Sequence, residues 1–312
     1  MHILTDDGTR LFLSRVGDRG CPPLILAHGT FTTQRSCAPL ASHLAARGWQ
    51  CWLFDWRGHG HSDQPPAAFD FETLASQDVP AVLREVEDSC GPLRPFWLGH
   101  SAGAVIASMW LARQPPACTR LAGLLMLAAQ AASRQRRWPL QLKIRLISWL
   151  LPLRRQIASH WMPLATEAES SRLLRQWCSW NLQGRMTGRD GFDYQAALGR
   201  QTLPVLALAG GSDDFISPPE GCQRLLDSFG SNKRYVLCSQ DQGFVEDYSH
   251  ERLLLSKNAK NEIWPLLENW LHQHAHHCAP LAEEPATAFL LPPAAPPAIP
   301  VRADNTDVPQ QL

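Results

Sequence analysis

Pro95-Phe96-Trp97-Leu98-Gly99-His100-Ser101-Ala102-Gly103-Ala104-Val105-Ile106 joins three pieces: a short apolar run, a turn of small residues around one serine, and the start of an apolar helix. The run Pro95 to Leu98 reads as a buried strand, and Ala102 to Ala112 reads as a helix behind it. Between them Gly99-His100-Ser101-Ala102-Gly103 matches G-x-S-x-G. A strand that turns sharply into a helix strains the backbone at the serine and tolerates only small residues beside it. It also lifts the hydroxyl clear of the sheet, where a base can reach it. The helix N-terminus adds positive potential where an oxyanion would form. Ser101 is therefore the candidate nucleophile.

Working outward, the same alternation recurs on both sides. Asp7-Gly8 is a turn dipeptide followed by Leu11, Leu13 and Val16, a hairpin pattern. Leu24 to Ala27, Gln50 to Phe54 and Leu121 to Ala128 read as strands. Cys37 to Arg47 and Thr73 to Glu87 read as helices. Leu203 to Ala209 and Arg234 to Cys238 resume the strands, and Glu262 to Gln273 closes as an amphipathic helix. Apolar strands alternating with helices predict an α/β fold: a mostly parallel central sheet with helices on both faces. From Arg134 to about Leu198 the alternation lapses into helical sequence with no convincing strand.

A second backbone donor for an oxyanion is expected from His28-Gly29-Thr30-Phe31, directly after the strand Leu24 to Ala27. With the N–H of Ala102, the N–H of Thr30, or that of Phe31, would complete an oxyanion hole.

These features resemble the α/β-hydrolase superfamily. Asp55-Trp56-Arg57-Gly58-His59-Gly60-His61-Ser62-Asp63 is similar to that family's D-x-R-G-x-G-x-S loop, so the three motifs stand in the family's order over roughly residues 5 to 275. The resemblance implies a structural role for this loop, with His59 and His61 not catalytic. It looks closest to esterases, monoglyceride-lipase-like and serine-aminopeptidase-like hydrolases. It also implies a helical cap where the alternation lapses, and the chain order serine, acid, histidine for a catalytic triad.

No Asp or Glu occurs between Asp88 and Glu167, so the acid must lie later. Gly210-Gly211-Ser212-Asp213-Asp214-Phe215-Ile216-Ser217-Pro218 is similar to the family's G-x-x-D-x-x-x-P. Gly211, Asp214 and Pro218 fall in register, which makes Asp214 the expected acid and Asp213 the neighbour that could take its place. Of the downstream histidines, His272, His274, His276 and His277 sit at or beyond the end of the closing helix. His250, between the last strand and that helix, is the expected base, although Asp247-Tyr248-Ser249-His250-Glu251 departs from the family's commoner Gly-His pair. The histidine cluster invites a metal, but only His272 and His276 have helical i,i+4 spacing, and no metal or cofactor is expected.

Within the expected cap, Leu140, Ile144, Ile147 and Leu151 form one helical stripe, with Leu142, Leu146 and Leu150 beside it. Seven basic residues (Arg134, Arg136, Arg137, Lys143, Arg145, Arg154 and Arg155) and five tryptophans (Trp138, Trp149, Trp161, Trp177 and Trp180) accompany them. The pattern suits an apolar acyl pocket, contact with a membrane surface, or a small core of the cap's own. The expected organisation is a hydrolase core in residues 1–130 and 201–278, a cap or lid in 131–200, and a disordered Pro/Ala-rich tail in 279–312.

The expected function is that of a serine esterase acting on an ester or thioester of an apolar acyl group. Acyl transfer and amide or peptide cleavage use the same triad, and a catalytically inactive member of the fold is the reading of another class. The partner is a small acyl substrate. Among 312 residues the charges balance to zero, which gives no global attraction to nucleic acid. Nine cysteines without a CxxC pair suggest reduced thiols in a cytoplasmic protein. Met1 to Gly8 lacks the pattern of a secretory signal, and no apolar stretch is long enough to span a bilayer.

Overall fold

The structure is a computed structural model that describes residues 1–116, 120–130, 132, 138–151, 156–158, 166–230 and 232–280. The expected tail lies almost wholly outside the described residues.

The strands are β1 (His2–Leu4), β2 (Arg10–Val16), β3 (Pro23–Ala27), β4 (Gln50–Phe54), β5 (Phe96–His100), β6 (Gly123–Leu127), β7 (Gln156–Ile157), β8 (Glu169–Ser170), β9 (Val205–Gly210) and β10 (Lys233–Cys238). The helices are α1 (Ala38–Ala45), α2 (Phe71–Thr73), α3 (Val79–Cys90), α4 (Ala102–Ala112), α5 (Trp138–Leu150), α6 (Ser171–Gln183), α7 (Tyr194–Leu198), α8 (Pro219–Asp227), α9 (Arg252–Leu255) and α10 (Ala259–His274). Eight strands form one sheet in the order β1-β2-β4-β3-β5-β6-β9-β10. From β4 to β10 all neighbours are parallel, while the β1–β2 hairpin joins β4 antiparallel.

The continuous apolar runs follow from burial on both faces. In β3, Ile25 and Ala27 join one core with Trp52, Phe54 and Trp97, while Leu24 and Leu26 join the other with Leu53, Phe96 and Leu98. That alternation is the two-residue period of a strand with a helix layer on each side. Val82 and Val86 of α3 and Ile106 of α4 cover the first face; Leu40 and Leu44 of α1 and Ile263 and Leu267 of α10 cover the second. Each fully buried leucine or tryptophan here contributes roughly 1.5–3 kcal/mol of apolar transfer or more.

The strand order reverses at β3 and β5. β3 leads through α1 to β4 on one side, and β5 leads through α4 to β6 on the other. Their carboxyl ends lie side by side, with Ala27 paired to Gly99. In an open α/β sheet this crevice is where a ligand binds.

Two details depart from the sequence reading. Between α2 and α3, residues Leu74–Asp78 form a π-helical stretch in which Val79 N donates to Leu74 O. It precedes Pro80, which has no N–H to continue an α-helical ladder, and Asp78 is buried against Arg57. Between β6 and β9 the chain is helical but includes a short antiparallel pair, β7 with β8. Two-residue strands leave no hydrophobic period to read.

Candidate active site

Ser101 stands at the switch point. Its backbone is at φ 53°, ψ −123°, a conformation that costs roughly 1–3 kcal/mol and persists only where surroundings impose it. Those surroundings are visible. Ser101 N donates to Leu127 O at 2.8 Å, and Ala104 N donates to Ser101 O at 3.1 Å. A β-carbon at Gly99 would meet Ala104 N at 2.2 Å, and one at Gly103 would meet Ala27 O at 2.5 Å. The two glycines of the motif are therefore set by the close passage of α4 over β5 and β3. Ala102 N is the first amide of α4, which no intrahelical carbonyl can serve.

The loop after β3 comes up beside the serine. A β-carbon at Gly29 would stand 3.0 Å from Ser101 Cβ. His28 is fully buried and holds this loop: its Nε2 accepts from Trp56 N at 3.2 Å, and its Nδ1 lies 2.8 Å from Gly29 O. Burial, then the neighbouring His59, depress its pKa well below the ordinary histidine value, so the neutral ring accepts at Nε2 and donates from Nδ1. Phe31 N donates to Glu169 Oε2 at 3.4 Å, so of the two expected loop donors the Phe31 amide is engaged. Thr30, Phe31, Ser101 and Ala102 share the wall of one cavity.

The histidine and its acid lie together. His250 Nδ1 is 2.6 Å from Asp213 Oδ2, and both side chains are buried. The carboxylate that the structure brings to His250 is thus Asp213, and the expectation of Asp214 is corrected. Two adjacent glycines and two adjacent aspartates allow two registers of the motif. The turn after β9 decides between them: Asp213 Oδ1 accepts Ile216 N at 3.1 Å and Ser217 N at 3.0 Å, which fixes the carboxylate inward, while Asp214 is exposed. Burial alone would raise the pKa of Asp213. The hydrogen bond and charge of His250, with the Ser217 and Ile216 amides, outweigh it and hold the carboxyl below its usual range. His250 is tied to the serine's own turn, because His100 Nε2 donates to His250 O at 2.9 Å. Burial, followed by the nearby His250, pushes His100 down to about 3, so it stays neutral. Among the described residues no hydrogen bond reaches Ser101 Oγ; in an unliganded site that contact is often loose and tightens with substrate.

The loop Asp55 to Asp63 is held internally. Asp55 accepts Gln34 N at 2.8 Å and His61 N at 3.1 Å, and Ser62 Oγ donates to Asp55 O at 2.6 Å. Arg57 pairs with Asp78 at 2.7 Å and Asp7 at 2.6 Å. His59 Nε2 lies 3.2 Å from Glu169 Oε2, with both side chains buried. Burial lowers the pKa of His59, but the charge and hydrogen bonding of Glu169 overcome this, and the net shift is upward. The His61 ring packs edge-on against Phe12, with centroids 5.0 Å apart.

A family model, Hydrolase_4 (serine aminopeptidase, S33), matches residues 22–244. The chain belongs to this S33 hydrolase family. With it comes membership of the α/β-hydrolase superfamily, whose fold is also seen in solved structures. An esterase from Exiguobacterium antarcticum superposes with a TM-score of 0.65 at 18% identity, covering 87% of this chain and 99% of that one. A monoacylglycerol lipase from Paleococcus ferrophilus gives 0.63 at 19%, covering 85% and 99%. Among curated relatives, a non-heme chloroperoxidase of Streptomyces lividans is 32% identical over 114 residues, which is 36% of this chain and 40% of the relative. The first three curated relatives are matched over only 32% to 49% of their length.

In this S33 chain the cavity above Ser101 has a volume of about 90 Å³. Its remaining walls are Val105 of α4, Leu173, Leu174 and Trp177 of α6, and Phe215, Ile216 and Ser217 of the Asp213 turn, with Phe71 and Gln130. Sequence reasoning missed most of these. Leu173 and Leu174 are part of a helix whose inward face depends on what it packs against. Gln130, two residues past the strand Leu121 to Ala128, belongs to no motif, yet it donates to Ile216 O at 2.9 Å. Larger cavities of about 470 and 600 Å³ lie elsewhere; Arg113 pairs with Asp190 at 2.9 Å in the first, and Asp55 accepts from Gln34 N at 2.8 Å in the second. Burial pushes Cys37, Cys51, Cys178, Cys238 and Cys278 up to about 12, so these thiols are poor nucleophiles. The histidines at the end of α10 stack, His274 on Trp270 with ring centroids 4.2 Å apart, and among the described residues no group of His, Cys, Asp or Glu gathers that could hold a metal ion. No helix among the described residues is long and apolar enough to cross a membrane.

Proposed function

We propose that this protein is a serine esterase that cleaves an ester or thioester of an apolar acyl group through an acyl-enzyme on Ser101. The observation that carries the reading is the buried His250–Asp213 pair, 2.6 Å apart, anchored through His100 to the strained turn of Ser101. Ser101 Oγ attacks the substrate carbonyl. His250 Nε2 takes the hydroxyl proton and then delivers it to the leaving oxygen or sulfur. Asp213 holds Nδ1–H, fixes the tautomer and stabilises the imidazolium. The Ala102 and Thr30 amides receive the oxyanion, and their worth rests on being fixed before the charge develops. Water, with its proton taken by His250, resolves the acyl-enzyme.

The residues between β6 and β9 act as a cap in this account, with α6 as the roof of the acyl site. The cavity is small, about 90 Å³, which suits a short acyl chain, and its lining of Leu173, Leu174, Trp177 and Phe215 suits an apolar one. The test is a series of p-nitrophenyl esters of increasing acyl length, with Ser101→Ala as control. The reading expects Ser101-dependent hydrolysis that is best for short chains. A chain-length optimum at long chains contradicts the size of the pocket, and hydrolysis that survives in Ser101→Ala contradicts the mechanism.

A further inference from the structure

The helix α5 turns one apolar stripe inward and a second one outward. Ile144 and Leu151 are buried with Cys178, and Ile147 packs against them. On the opposite side Trp138 is 74% exposed, Leu142 58%, Leu146 55%, Trp149 73% and Leu150 40%. Steps of four and three residues place these five side chains on one face over about 18 Å of helix. They are five of nine large apolar side chains that are exposed among the described residues, and no other helix carries more than one.

We propose that this outer face of α5 docks the protein on an anionic lipid membrane surface. The two tryptophans bracket the stripe, and an indole, apolar with one N–H, settles at the boundary between acyl chains and headgroups. At roughly 100° per residue, Lys143 and Arg145 flank the stripe on its two sides, and both are exposed. Lys143 Nζ also lies 4.0 Å from the Phe215 ring centroid, at the edge toward the Ser101 cavity. No acidic residue occurs between Asp88 and Glu167, whereas Arg134, Arg136 and Arg137 precede the helix and Arg154 and Arg155 follow it. In a chain whose charges sum to zero overall, this local excess of basic sequence complements anionic headgroups. A second copy of the chain seated on this face would bring its Lys143 and Arg145 against the same two cations, and the repulsion disfavours it as occupant.

The docking face belongs to the same small core as the acyl site. Ile144, on the inner side of α5, packs in one cluster with Trp177, Leu174 and Phe215, which line the cavity over Ser101. Docking therefore brings the roof of that cavity to the bilayer. The docking itself does not depend on the hydrolase reading, and Ser101→Ala is expected to bind vesicles as the wild type does.

The test is co-sedimentation of the full chain with phosphatidylcholine–phosphatidylserine vesicles and with pure phosphatidylcholine vesicles. The wild type is expected to pellet with the former and less with the latter. The variant Trp138→Ser/Leu146→Ser/Trp149→Ser is expected to lose at least about tenfold in affinity while its circular dichroism and its hydrolysis of a soluble short-chain ester stay as in the wild type. Arg136→Glu/Arg137→Glu/Arg145→Glu is expected to abolish the preference for phosphatidylserine. Three results overturn the proposal: a wild type that stays in the supernatant, a serine variant that pellets equally, or a wild-type dimer by sedimentation velocity that the serine variant dissolves without any vesicle binding.

Discussion

At the scale of single residues, two neighbouring carboxylates differ in everything but sequence register. Asp213 is buried, accepts two backbone amides and faces His250; Asp214 is exposed. Asp213→Asn is therefore expected to lower kcat by about 10⁴, because an amide cannot hold the histidine in the tautomer a base needs. Asp214→Asn is expected to stay within about threefold of wild type, as exposed substitutions away from the chemistry do. Steady-state rates on one short-chain ester check both, and a reversed order would move the acid back to Asp214. Trp177 gives the second residue-level test. It forms part of the cavity wall with Phe215, their ring centroids 6.0 Å apart, so Trp177→Ala should shift the chain-length optimum toward longer esters. An unchanged profile would mean that the acyl chain runs elsewhere. The candidate serine and histidine could be placed from sequence because chain order and a strand-to-helix turn constrain them. The acid was narrowed to a doublet and no further, since which of two adjacent side chains turns inward is decided by the amides of Ile216 and Ser217, a tertiary fact.

At the scale of elements, β8 ties the segment between β6 and β9 to the core through a buried pair. Glu169 pairs with His59 at 3.2 Å and accepts Phe31 N from the loop beside Ser101. Without the Glu169 carboxylate, buried His59 loses its charged partner and neutralises, so Glu169→Gln is expected to be destabilising, read as a lower Tm. The pKa of His59 is raised on folding. Its contribution is therefore complete below the ordinary histidine value near 6.5 and is lost as the pH rises through the higher folded value. The Tm gap between wild type and Glu169→Gln should shrink as pH rises above neutrality. A gap that widens would contradict the pairing. None of this was visible in sequence: Glu169 sits in a two-residue strand with no periodicity, and His59 belongs to a loop whose other members pair only with the core. The two stripes of α5 were visible, but their opposite fates were not, because the inner face is chosen by packing against Cys178 and Trp177.

At the scale of the whole molecule, the sheet order explains why residues far apart in sequence meet. The reversal at β3 and β5 puts the Gly29 loop beside Ser101, and β9 and β10 continue the same edge, so the loops that follow them deliver Asp213 and His250. The doubly covered sheet was legible because strands buried on both faces have unmistakable apolar runs, as in Leu24 to Ala27 and Leu121 to Ala128. The same burial raises the thiols of Cys37, Cys51, Cys178, Cys238 and Cys278, and ester hydrolysis is expected to survive iodoacetamide at neutral pH; inactivation would bring a cysteine into the mechanism. The central claim is that Ser101 is the activated nucleophile of this sheet crevice, and its most direct test is labelling with a fluorophosphonate followed by peptide mapping. One adduct per chain is expected on Ser101, absent in Ser101→Ala and strongly slowed in Asp213→Asn. A native protein that takes no label, or takes it on another residue, would contradict it.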